Sequence, residues 1–241
     1  MSAAPLFPAT RWTLLQTLRE GSDADALEAL ELLCRAYWMP LYMVARRFDL
    51  KPEDAEDLVQ GFFESLLEAD SLQNVDPSLG RLRSYLLKSF QNYQSKQWHA
   101  SRTMKRGGVI DLISHTLMDE AEAHFLEIAD EKADIETLYN REWTRLLLER
   151  SLEKLRQQHL SKDLGEFFDE LVVHLTRDET EAARMASAEK LGLSSLGFRQ
   201  AVFRMRRAYR GCIEDELAMT LGTSDPEVIR REVCELFKSF E

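Results

Sequence analysis

"RMASAEKLGLSSLGFRQAVFRMRRAYRG", residues Arg184 to Gly211, decides the fold of the second half of this chain. Ala188 is a small residue where two crossing helices would approach closely. Gly192, between Leu191 and Leu193, supplies a turn, and Ser194 has the side chain of a helix N-cap. Phe198 then returns to a core. On the second helix Phe198, Val202, Met205 and Tyr209 share one face. Arg199, Phe203, Arg206 and Arg210 share another, beside Gln200, Arg204 and Arg207. This is helix-turn-helix spacing, and an exposed basic second helix is what enters the major groove of DNA.

The rest of the chain is also read as helical. Its 241 residues hold only ten glycines and six prolines, and apolar residues recur at 3.6-residue spacing with no sustained period-2 alternation. The expected class is all-α, with helices near 24–48, 52–69, 80–103, 140–160, 163–176, 180–192, 195–218 and 225–240. Two small helical domains are expected, about 24–106 and 140–220. They are flanked by an N-terminal extension (1–23), an acidic linker (107–139) and a C-terminal helical extension (221–241). In that extension Val228, Val233, Leu236, Phe237 and Phe240 are the expected apolar contacts. No apolar run is long enough to cross a bilayer, and "MSAAPLFPATRW" is not a secretory signal, so a cytoplasmic location with no membrane partner is expected. Cys34, Cys212 and Cys234 are odd in number and widely spaced, which suits packing residues in a reducing compartment.

Charge is the informative axis. The formal net charge is −11, yet residues 77–110 contain seven Lys or Arg and no acid, and residues 190–213 contain six and none. Two purely basic islands in an acidic protein suggest two contacts with a polyanion. Between them, Asp111 to Glu136 carries nine acids against Lys132 alone.

On a helix, the first island separates into faces. Leu82, Leu86, Phe90 and Tyr93 form a core stripe. Arg81, Tyr85, Lys88, Asn92, Lys96 and His99 form a second stripe of cations, an amide and an aromatic, the parts that single-stranded nucleic-acid binding uses. Arg102, Lys105 and Arg106 extend the charge. Upstream, "KPEDAEDLVQGFFESLLEAD" opens on Pro52, suited to a first helical turn, with Glu53, Asp54, Glu56 and Asp57 near the positive end of the dipole. Ala55, Leu58, Val59, Phe62, Phe63, Leu66 and Leu67 are its expected buried face, with Asp57, Gly61, Glu64 and Glu68 opposite. The carboxylates suit either helix stabilisation or protein docking.

An acidic helix, a basic aromatic-amide helix, a linker and a helix-turn-helix, in that order, resemble a bacterial RNA polymerase sigma factor of the sigma-70 family, extracytoplasmic-function (ECF) type. "DAEDLVQGFFESLL" is similar to the family's region 2.2, and "LRSYLLKSFQN" to region 2.3, with Tyr85, Lys88 and Asn92 on its marked positions. "AEKLGLSSLGFRQAVFRMRRAYR" is similar to region 4.2, through Ala188, Leu191, Gly192, Ser194, Arg199, Arg204 and Arg206. Gly197 stands where the family usually has Thr, and Ser187 where an apolar residue is usual. Lys96 and His99 also depart from the pattern.

The resemblance implies a specificity subunit with core RNA polymerase and promoter DNA as partners. Asp54, Glu56, Asp57, Leu58 and Gln60 would dock on the β′ clamp, and the C-terminal domain would meet the β flap. Arg81, Tyr85, Lys88, Asn92, Lys96, Arg102, Lys105 and Arg106 would bind and help melt the −10 element, with the loop "NVDPSLGR" holding a flipped base. Arg199, Gln200, Phe203, Arg204, Arg206 and Arg207 would read the −35 element. Control by an anti-sigma factor, a regulatory kinase or the C-terminal helix stays open. The alternative is a stand-alone helix-turn-helix regulator that binds DNA without polymerase. No GxxxxGK[ST], HExxH, CxxC or GxSxG occurs, so no enzyme activity, catalytic residue, cofactor or metal ligand is expected.

Overall fold

The computed structural model describes residues 11–66, 81–99, 109–128, 133–175 and 180–240. Among these the regular structure is entirely helical, with ten α-helices and no strand, as the periodicity predicts. None of the described helices is long and apolar enough to cross a membrane. The chain divides into two compact units, residues 1–146 with 218–241, and residues 147–217.

The first unit is built around α2 (Asp23–Arg47). From Ala36 to Ala45 every residue is buried, so this helix has no solvent face there and must be surrounded. Its neighbours are α1 (Arg11–Glu20), α3 (Pro52–Leu66), α4 (Leu82–His99) and α5 (Val109–Ile128). Ser22 caps α2 by accepting from the Asp25 amide, and Trp38 stacks on Tyr42 with centroids 5.0 Å apart. Burial pushes the Cys34 thiol up to about 12, with Glu31 adding to the effect, so it is an inert packing group.

Two helices lie where none was expected. The N-terminal segment supplies α1, whose Leu14, Leu15 and Leu18 are buried. The acidic segment expected to link two domains supplies α5, which packs on α2 and α3. Ala121 is fully buried, and Glu122 is an internal partner: it accepts from Tyr42 at 2.7 Å and from Arg46 at 2.9 Å. Arg46 also lies over the Phe125 ring at 4.5 Å. One acid of the segment, Glu122, thus neutralises one cation of α2, Arg46.

Helix α6 (Ile135–Leu160) starts at Asp134, which accepts from the Glu136 and Thr137 amides at 3.0 and 3.1 Å. These bonds, with one from the Thr137 hydroxyl, hold the Asp134 carboxyl below its usual range. The second unit takes residues from α6, α7 (Gly165–Val172), α8 (Glu181–Lys190) and α9 (Ser195–Leu221). Its core joins Leu155, Phe168, Leu171, Ala188, Phe198, Ala201, Met205 and Cys212.

The C-terminal helix, α10 (Pro226–Phe237), is capped by Asp225, whose carboxylate accepts from the Glu227 amide at 2.9 Å. Its buried residues are Ile229, Glu232 and Leu236, whereas Val228, Phe237 and Phe240 are exposed. Of the expected apolar contacts Leu236 is buried and Val233 half-buried, but the other three are not, and a glutamate occupies the centre of the buried face. Cys234 is exposed, which corrects its assignment as a packing residue.

Candidate nucleic-acid interfaces

In the second unit α8 and α9 meet through a tight turn. Gly192 has φ 64°, a left-handed conformation that glycine adopts without penalty. The Leu193 amide returns to the Ala188 carbonyl at 2.8 Å, and Ser194 caps α9 by accepting from the Gly197 amide at 3.1 Å. A Cβ on Gly197 would lie 3.2 Å from the Ser194 hydroxyl oxygen, so glycine here leaves the cap uncrowded. Gly192→Val forces a β-branched residue into the left-handed region and is expected to lower the unit's stability by about 1–2 kcal/mol, measurable by urea denaturation.

The faces of α9 fall as the spacing predicts. Phe198 and Met205 are buried and Val202 and Tyr209 half-buried, with the Tyr209 hydroxyl donating to the Leu148 carbonyl at 3.0 Å. Ala201, absent from the expected core, is buried as well. Arg199, Gln200, Phe203, Arg204, Arg206, Arg207 and Arg210 are exposed. Phe203 is 68% exposed, and a large ring left in water among arginines offers apolar contact for a thymine methyl. The arginines are not equivalent. Arg199 reaches Glu181 at 3.4 Å, and Arg206 donates to the His174 carbonyl at 2.8 Å, which ties it to the framework.

Ser187, a polar residue, is buried on α8. Its hydroxyl lies 3.0 Å from His174 Nε2, and both side chains are buried. The His174 ring meets Phe198 edge-on, centroids 4.9 Å apart. A buried polar pair of this kind is tolerated because each member satisfies the other. Ser187→Ala leaves the imidazole nitrogen without that partner, and the expected cost is about 1–3 kcal/mol, read as a lower urea midpoint with an unchanged slope.

In the first unit, the basic helix α4 buries Leu82, Leu86 and Phe90, as its period predicts. Tyr93 is half-buried, its ring 5.9 Å from that of Phe62. Lys88, Asn92 and Lys96 are exposed and Tyr85 half-exposed. The side chain of His99 and residues Arg102, Lys105 and Arg106 lie outside the described residues, as does "NVDPSLG".

Arg81 belongs to a different environment from the rest of the stripe. Its Nε lies 2.7 Å from Glu232 of α10. Arg83, which the sequence reading did not single out, contacts the same carboxylate. Both Arg83 and Glu232 have only 3% of their side chains exposed. Arg83 Nε also donates to Asn140 at 3.1 Å, and its guanidinium sits 5.2 Å from the Trp143 ring centroid. Burial, with the Arg81 charge adding to it, pulls Arg83 down to about 10, so it stays charged at neutral pH. No local signal marks this cluster, because its members come from three separated helices.

On α3, Asp54, Glu56, Asp57 and Leu58 are partly exposed, but Gln60 is buried, 6% exposed, and donates to Glu64 at 3.3 Å. Gly61 is buried too, against the expectation that it lay on the open side. Because α3 contacts α2, α4 and α5, its buried arc is wider than a single-faced amphipathic helix would show. Its partly exposed residues are Pro52, Asp54, Glu56, Asp57 and Leu58, with Glu64 and Ser65 near its end.

Comparison with protein-family models, with curated proteins and with solved structures finds no match to this chain.

Proposed function

We propose that this chain is a sigma factor, a subunit that brings core RNA polymerase to a promoter. The observation that carries the reading is the α8–α9 pair, with its left-handed glycine turn, its serine cap and a face of α9 that is arginine-rich and exposed. The order of sequence motifs supports it. In this reading the second unit is region 4 and meets the −35 element. Helices α2 to α4 are region 2: the acidic start of α3 docks on the β′ clamp, and Tyr85, Lys88, Asn92 and Lys96 of α4 meet the −10 strand.

The net charge of −11 repels DNA from the free protein, since non-specific affinity depends on counterion release at phosphates. Polymerase therefore supplies the remaining affinity. The test mixes the purified chain with core RNA polymerase at equal concentration and follows co-elution, then open-complex formation on promoters selected from a random library. Co-elution and a recurrent two-part promoter are expected. Absence of a complex at micromolar concentration would overturn the reading. The second unit holds the entire helix-turn-helix, which favours the stand-alone regulator as the second reading. A tight, sequence-specific footprint without polymerase would establish that one instead.

A further inference from the structure

We propose that Arg81 and Arg83 form an anion-binding notch on α4, that Glu232 of α10 is its resident anion, and that a phosphodiester of single-stranded nucleic acid displaces it. The inference rests on the reading of α4 as a nucleic-acid face. It adds a ligand to that face and a way of covering it.

Two cations at the start of α4, with no acid in its first turn, stand where the helix dipole makes positive charge unfavourable. They need an anion, and the structure provides one from 149 residues away. The Glu232 carboxylate brings one negative charge and two oxygens. Arg81 takes one oxygen and Arg83 the other. A phosphodiester offers the same charge on two non-bridging oxygens, and guanidinium groups suit it as well as they suit a carboxylate. The notch also continues into a path. Tyr85, Lys88, Asn92 and Lys96 follow Arg81 along the same helix, exposed or half-exposed, so a strand lying on them reaches the notch at its end.

The cover is lightly held on its apolar side. Helix α10 buries Ile229 and Leu236 and half-buries Val233, while Val228 and Phe237 stay exposed. It follows a turn at Gly222, φ 67°. The ion pair that a phosphate would replace is thus the buried polar tie of α10, beside the apolar contacts of Ile229 and Leu236.

The probe is a fluorescent single-stranded oligodeoxynucleotide, with anisotropy read across a salt series for the full chain, E232Q and R81A/E232Q. Freeing the two guanidinium groups lets the protein neutralise one more phosphate, held between them. The salt slope of log K for E232Q should steepen by about 0.7, the value for one phosphate of a single strand, with affinity raised several-fold at low salt. R81A/E232Q should lose about half of that gain. Equal affinity and slope for the full chain and E232Q would overturn the proposal. Because E232Q leaves Arg83 without its carboxylate and can unfold the unit, the second measurement uses the unaltered chain. Hydrogen exchange of the Ile229–Leu236 amides should accelerate when the oligonucleotide is added to saturation. Unchanged protection with the oligonucleotide bound would overturn the proposal too. Neither measurement involves polymerase, so a failure of the notch is distinct from a failure of the sigma-factor reading.

Discussion

Glu232→Ala is expected to lower the stability of the first unit by about 3–5 kcal/mol, the cost of removing one partner from a buried ion pair. The magnitude follows from Arg83. Its side chain is 3% exposed, so it cannot replace the missing carboxylate with water without opening the packing of α10. Deprotonation offers no escape, because a guanidinium keeps its charge at neutral pH. Asn140 and the Trp143 ring remain, but neither carries a negative charge. Arg81, more than a third exposed, simply returns to solvent. Replacing both ends of the pair, R83L with E232L, removes the stranded charge and should recover most of the loss, since an apolar pair of similar volume is often as stable as the ion pair it replaces. Hydrogen exchange of the α4 and α10 amides measures both. A loss below about 1 kcal/mol for the single substitution would mean that the pair is solvated and that α10 lies loosely on the unit.

What the sequence shows and what it hides divide along the range of the interactions. The α8–α9 turn is legible because its determinants, Ala188, Gly192, Ser194 and Phe198, lie within eleven residues of one another. The core stripe of α4 is legible for the same reason, since Leu82, Leu86 and Phe90 follow one helical face. Helix α5 was missed because the nine acids from Asp111 to Glu136 read as a linker, while Glu122 finds Tyr42 and Arg46 about eighty residues away. The buried face of α10 was only partly legible because a glutamate in a core violates every local rule until its two arginines are known. Gln60 and Gly61 on α3 make the same point for burial. A helix covered by three others cannot be separated into an inner and an outer face from periodicity alone. The exposure of one helix face, as on α9, is accordingly legible, and a cluster drawn from three helices is not.

The arginines of α9 supply the second large effect. Substituting Arg199, Arg204 and Arg207 together with alanine should reduce the salt slope of duplex binding by about 2.7, at roughly 0.9 for each phosphate that is no longer neutralised. On the proposed sigma-factor reading, the affinity of the polymerase complex for a promoter should fall by about two orders of magnitude at low salt. All three are exposed, and the only ion pair among them in the described residues is that of Arg199 with Glu181 at 3.4 Å, itself exposed. Pairs of that kind contribute little to stability, so the triple variant should melt with the parent. Arg206 serves as the contrast. Because it donates to the His174 carbonyl, Arg206→Ala should lower the unit's stability by about 1 kcal/mol and alter the salt slope by less than one unit. Filter binding over a salt series, paired with urea denaturation, separates the two behaviours. A triple variant that keeps the parent's salt slope would remove α9 from the DNA interface. A loss confined to stability would mean that its arginines serve the fold.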